Sequence, residues 1–140
     1  MMKKTILLAA CLSLLTVGLV SISCSKDHSG SIEDGNLAGT VWEYKYSQKS
    51  SVGENNSTET IKFTSGTEGA YTKTGSWKVN GYGGSSGSSG VYNDNDAFTY
   101  VYAPETLQGV YTHKSGGKTV VFSISDDFTA LTANAKYTRK

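Results

Sequence analysis

Ala97-Phe98-Thr99-Tyr100-Val101-Tyr102-Ala103-Pro104 alternates with a period of two. Phe98, Tyr100 and Tyr102 fall on one face and Thr99 and Val101 on the other, the pattern of a strand with one buried face. Pro104 ends it, because proline has no amide proton to give a neighbouring strand. The same alternation recurs on both sides. Upstream, residues 40–46 place Trp42, Tyr44 and Tyr46 together, and residues 58–64 place Ile61 and Phe63 together. Residues 70–79 put Tyr71, Trp77 and Val79 on one face, with Gly75 a plausible bulge or bend. Downstream, a strand over 107–113 surrounds Val110 and Tyr111, and one over 119–125 points Val120, Phe122 and Ile124 inward. Two short strands over 129–133 and 135–139 close the chain.

These are about eight short strands with hairpin-length links and no helical periodicity between them. The fold class is therefore all-β. Closing a meander on itself removes its exposed edges, and eight strands make a barrel that side chains can fill. A small antiparallel up-and-down barrel is expected, with a β-sandwich as the alternative. Residues 48–57 and the Gly/Ser-rich 80–90 read as loops, and 65–69 and 114–117 as turns.

Before the domain lies a different kind of sequence. Lys3 and Lys4 precede a mostly apolar, uncharged run over 5–20, and small residues Ser21 and Ser23 precede Cys24. This is the layout of a secretory signal. The run is diluted by Thr5, Ser13, Thr16 and Gly18, short of the ~20 apolar residues of a spanning helix. A cysteine closing such a run resembles the lipobox of bacterial lipoproteins, which implies cleavage before Cys24 and attachment of fatty acyl chains such as palmitate. Cys11 sits in a better local small-residue context. Cutting there would leave an apolar region below the ~7–15 residues a signal needs. Lipidation also accounts for a lone thiol, since Cys11 leaves with the leader and no disulfide forms within the mature chain. Cys-Ser-Lys-Asp resembles the start of many lipoproteins of Bacteroidota, and Ser25 is not the aspartate associated with inner-membrane retention. The expected organisation is a signal peptide over 1–23, a lipidated and flexible tether over 24–36 and one domain over 37–140. The expected location is the outer membrane, on a face left open.

The mature chain keeps 11 of the 13 basic residues against 12 acidic ones. Nucleic-acid binding wants a basic excess or stripe, and none is present.

Leu37-Ala-Gly-Thr-Val-Trp42, Phe98-Thr-Tyr100, Val121-Phe-Ser-Ile-Ser-Asp126, Leu131-Thr132 and the closing Tyr137-Thr-Arg-Lys140 resemble the small lipocalin-like lipoproteins of Bacteroidota. The resemblance runs from Leu37 to the end. It implies a lipocalin-like barrel, with Arg139 on the last strand packing over Trp42 on the first.

His28 lies in the tether, so His113 is the only histidine of the domain and reads as a strand-end surface residue. No local motif sets it beside a nucleophilic serine and an orienting acid. Asp126-Asp127 reads as turn chemistry. Asn93-Asp94-Asn95-Asp96 has alternate carboxylates but lacks the central Gly and terminal Glu of a calcium loop, and reads as loop polarity. A non-enzymatic protein without metal or cofactor is expected. Trp42, Tyr44, Tyr46, Tyr71, Trp77, Phe98, Tyr100 and Tyr102 are the candidate ligand-binding residues, against the alternative that they fill the core. The function expected is a membrane-anchored binding module for a small amphipathic or aromatic ligand. The alternative is a structural or interaction protein with a filled barrel, meeting an envelope protein or glycan partner through residues 48–57 and 80–96.

Overall fold

The computed structural model describes residues 35–140. Eight antiparallel strands follow one another round a closed up-and-down barrel: β1 (Val41–Ser50), β2 (Gly53–Phe63), β3 (Glu68–Val79), β4 (Ser88–Ala103), β5 (Gln108–His113), β6 (Thr119–Ile124), β7 (Ala130–Thr132) and β8 (Lys136–Arg139). Pairing of β1 with β8 closes it through Trp42↔Arg139 and Glu43↔Thr138. The closure decides against the sandwich. Trp42 and Arg139 are direct partners across that seam, so their side chains share a face.

The interior is filled. Trp42, Ile61, Phe63, Phe98, Tyr100, Tyr111, Val120, Phe122, Ile124, Leu131 and Tyr137 are buried, in the alternating positions the periodicity marks. Phe63 sits among Phe98, Tyr100 and Phe122, with ring centroids 5.6, 4.6 and 5.6 Å away. Such tilted and edge-on contacts add to the ~1.5–3 kcal/mol each buried aromatic or aliphatic side chain contributes.

Leu37 plugs the base. Gly39 turns the chain with φ 82° and donates its N–H to the Phe63 carbonyl at 2.7 Å. The Thr40 hydroxyl donates to the Leu37 carbonyl at 2.7 Å and accepts the Trp42 indole N–H at 3.0 Å. The Gly-Thr-Val-Trp stretch thus lets a fully buried tryptophan keep its hydrogen bond.

Three expectations are corrected. Residues 48–57 are not a loop: β1 and β2 pair through Ser50↔Gly53, leaving only Ser51 and Val52 as the turn. The loop after β3 is shorter than expected because β4 begins at Ser88, so Asn93, Asp94, Asn95 and Asp96 lie on a strand. Gly75 marks no bulge, since Ser57↔Gly75↔Tyr92 is continuous register on both sides. The common reason is that β1–β4 outrun the barrel. Above the level where β5 and β8 stop, their four strands have no core to cover. No apolar alternation is needed there, and polar residues form the ladder. The excess is seven residues on β3 from Lys73 to Val79, a projection of roughly 20 Å.

Candidate functional site

The barrel mouth lies where the short strands end and the long ones continue. A cleft of about 320 Å³ opens there, walled by Glu59 of β2, Tyr71 and Lys73 of β3, Asp94 and Asp96 of β4, and Tyr111 and His113 of β5. Ser115 and Lys118 of the β5–β6 turn, Asn134 of the β7–β8 turn and Tyr137 of β8 complete it.

Two carboxylates organise the cleft. Glu59 follows Phe63 and Ile61 on the inward face, one step above the apolar layer, and its side chain is only 14% exposed. Its Oε1 accepts from the Lys73 Nζ at 2.8 Å and its Oε2 from the Tyr137 hydroxyl at 2.7 Å. Burial pushes the carboxyl up, but Lys73 and Tyr137 pull it down further, leaving it below the ordinary glutamate value. Lys73 is held protonated by the same contact. Burial and the Glu59 charge push the phenols of Tyr71 and Tyr137 well above the tyrosine range, and Tyr111 up to about 12. The three rings are therefore neutral hydrogen-bonding groups.

Asp96 is the second centre. Its Oδ2 accepts from the Ser115 hydroxyl at 2.6 Å and faces the His113 Nδ1 at 2.9 Å, and its Oδ1 accepts the Ser115 N–H at 3.2 Å. The Ser115 hydroxyl, burial acting against it, and the Ser115 N–H and His113 leave the carboxyl below the usual aspartate value. The His113 ring stands edge-on between Tyr71 and Tyr111, at 5.4 and 5.3 Å. With Nδ1 engaged by Asp96, the opposite nitrogen, Nε2, is the one left to meet a ligand. Ser115 donates to the aspartate and not to the imidazole, so the three groups converge on Asp96 and do not form a serine–histidine relay. Among the described residues no three His, Cys, Asp or Glu side chains are arranged to hold a metal ion.

A pH dependence follows from Glu59. A carboxyl whose folded value is depressed stabilises the fold above its unfolded value, near 4.5, and that contribution disappears as pH falls through the folded value. Glu59→Gln is thus expected to be less stable than wild type at pH 7, with the gap closing as pH falls below the ordinary glutamate value of 4.5. Urea unfolding at the two pH values checks this; a gap independent of pH would refute it.

The eight aromatic candidates do not form one lining. Trp42, Phe98 and Tyr100 are buried in the core, where Tyr100 donates to the Ser65 carbonyl at 2.7 Å. Tyr44 and Tyr102 pack against that core; Tyr102 lies parallel to Phe122 and its buried hydroxyl has no protein partner. Only Tyr71 reaches the mouth. Tyr46 and Trp77 stand on the projecting sheet, 37% and 39% exposed. Cys24 lies outside the described residues. His113 is at a strand end as expected but half-buried, and Asp96, weighed only as loop polarity, is the group that orients it.

Glu59, Lys73, Tyr111, Ser115 and Tyr137 were not considered as site residues from the sequence, and His113 and Asp96 were weighed and set aside. A signal for three of them was present: Glu59 shares parity with Ile61 and Phe63, Lys73 with Tyr71, and Asp96 with Phe98. A charge at an inward position of a strand marks the place where a barrel stops being core.

The chain matches no family model, no curated protein and no solved structure.

Proposed function

We propose that the protein is a lipid-anchored binding module of the cell envelope, held at Cys24 in the outer membrane, whose mouth cleft takes a small amphipathic ligand. The observation that carries this is the polar layer over a filled barrel. Two carboxylates, both with depressed values, stand among three tyrosine rings and a histidine, and the cleft is walled from five strands. Stability alone does not call for such a layer, since buried charges cost desolvation that packed apolar groups avoid. A ligand with hydroxyl or amine groups along one edge and a flat apolar face matches it, with donors and acceptors below and rings beside. Gly35 abuts Pro104 in the β4–β5 turn, so the chain enters the described domain at the base, opposite the mouth.

The filled core also supports a second reading, a structural or interaction protein that meets its partner without a ligand in the barrel. Native mass spectrometry of the full chain, purified in detergent from its own envelopes, separates the two. A discrete added mass is expected on wild type and not on Glu59→Gln, which keeps the side-chain shape but loses the charge. A bare mass on wild type, or an adduct unaffected by Glu59→Gln, would contradict the mouth as the site.

A further inference from the structure

The sheet that projects above the mouth has two unlike faces. Its outward face carries Lys45, Lys49, Glu54 and Lys78, whereas the inward face above the Lys73–Asp94 row carries no charged residue. That face instead carries rings laid flat on the backbone. A Cβ on Gly90 would lie 2.8–3.0 Å from Nε1, Cε2 and Cζ2 of Trp77, so the indole of β3 covers the bare backbone of β4. A Cβ on Gly75 would lie 2.5 Å from Cζ and the hydroxyl oxygen of Tyr92, so the phenol of β4 covers the bare backbone of β3. The two glycines are exchanged seats. Each lets a ring from the neighbouring strand lie against the sheet, Trp77 exposed and Tyr92 half-buried with its hydroxyl donating to the Asn55 Oδ1 and the Asn56 carbonyl at 3.4 Å, and any side chain there would lift the ring. The two ring-bearing rows are two residues apart on each strand, about 7 Å. Amides border the rings: Gln48 and Asn55 lie in the Trp77 row, with Gln48 accepting the Tyr46 hydroxyl at 2.5 Å.

We propose that this face is a stacking platform for a neutral saccharide chain, continuous with the mouth cleft below it. The inference rests on the reading of the mouth as a binding site and extends it from a small ligand to an oligosaccharide. The exposed indole of Trp77 and the partly exposed phenol of Tyr92 offer apolar contact to the C–H faces of sugar rings, and amides and hydroxyls beside them meet the hydroxyl edges. The absence of charge fits an uncharged occupant, because an anionic or cationic chain would find no partner on this face and its counter-charges would be stripped of water.

The test uses the full chain in detergent, with neutral hexasaccharides of glucose, mannose and N-acetylglucosamine units and the corresponding monosaccharides as probes. Trp42 is fully buried and Trp77 exposed, so a change in tryptophan emission on titration reports the platform. At least one hexasaccharide is expected to give a saturable change, with its monosaccharide roughly tenfold weaker or worse. Calorimetric affinity should fall by about the same factor in Trp77→Ala and in Tyr92→Leu, and recover in Trp77→Phe. Failure of every hexasaccharide to bind, or affinity unchanged in both Trp77→Ala and Tyr92→Leu, would overturn the platform. The mouth is judged separately: hexasaccharide binding lost in Trp77→Ala but intact in Glu59→Gln would uphold the platform and remove the mouth from the site.

Discussion

Phe63→Ala is expected to cost about 3–5 kcal/mol, the range for deleting a buried aromatic ring and leaving its space unfilled. Phe63 is fully buried and touches Phe98, Tyr100 and Phe122, which come from two other strands on different sides of the barrel. Those neighbours are held by closed strand pairing and have little freedom to collapse into the hole. Against a total stability of about 5–15 kcal/mol, the loss is a large fraction, and the midpoint of thermal unfolding should drop by roughly 15–25 °C. Val101→Ala, on the outward face and 76% exposed, should stay within about 0.5 kcal/mol. Chemical denaturation of the two variants measures both. A small cost at Phe63 would mean that the barrel is hollow at its centre, and the filled core described above would be wrong. Trp42 and Tyr100 are buried in the same core. Substituting either would lower stability first, so ligand loss in such variants would say nothing about a cavity.

Cys24→Ser should move the protein wholesale from the membrane to the soluble fraction. Each buried methylene of an acyl chain contributes about 0.8 kcal/mol, and the several chains of a mature lipoprotein make an anchor far beyond the marginal hold of one. The outward face of the described barrel is mostly threonine, serine, lysine and glutamate, with exposed valines at 91, 101, 110 and 121. Fractionation after expression in a bacterial host with lipoprotein processing reads the result. Retention in the membrane fraction would contradict lipidation at Cys24 as the anchor.

The fold was legible wherever strands cover a core. Phe98-Thr-Tyr-Val-Tyr102 alternates because its inward residues are dry and its outward ones wet, and β6 declares itself through Val120, Phe122 and Ile124 for the same reason. Legibility failed where that cause is missing. Gln48, Asn55 and Asn93 occupy strands with water on both sides, so their order carries no apolar period, and glycine at 75 and 90 looks like a defect until the ring that covers it is placed. The mouth was hidden for another reason. Glu59, Asp96, His113 and Tyr137 come from four strands, and only the closed register brings them to one level. What the sequence did hold was parity: a glutamate in step with Ile61 and Phe63 is out of place in a core and in place at its rim. The aromatic residues misled because abundance suggests a lining, whereas a barrel of eight short strands needs its large rings to fill the interior.

The most direct test of the mouth as the binding site is a chemical-shift map. Amide spectra of the ¹⁵N-labelled full chain in detergent would be recorded with and without the ligand mass recovered from the envelope. Shifts are expected at Glu59, Tyr71, Asp96, Tyr111, His113 and Ser115 and up the inward face of β1–β4, while the base around Leu37, Thr40 and Pro104 stays still. Shifts confined to the base or to the outward face, with the mouth silent, would contradict the account.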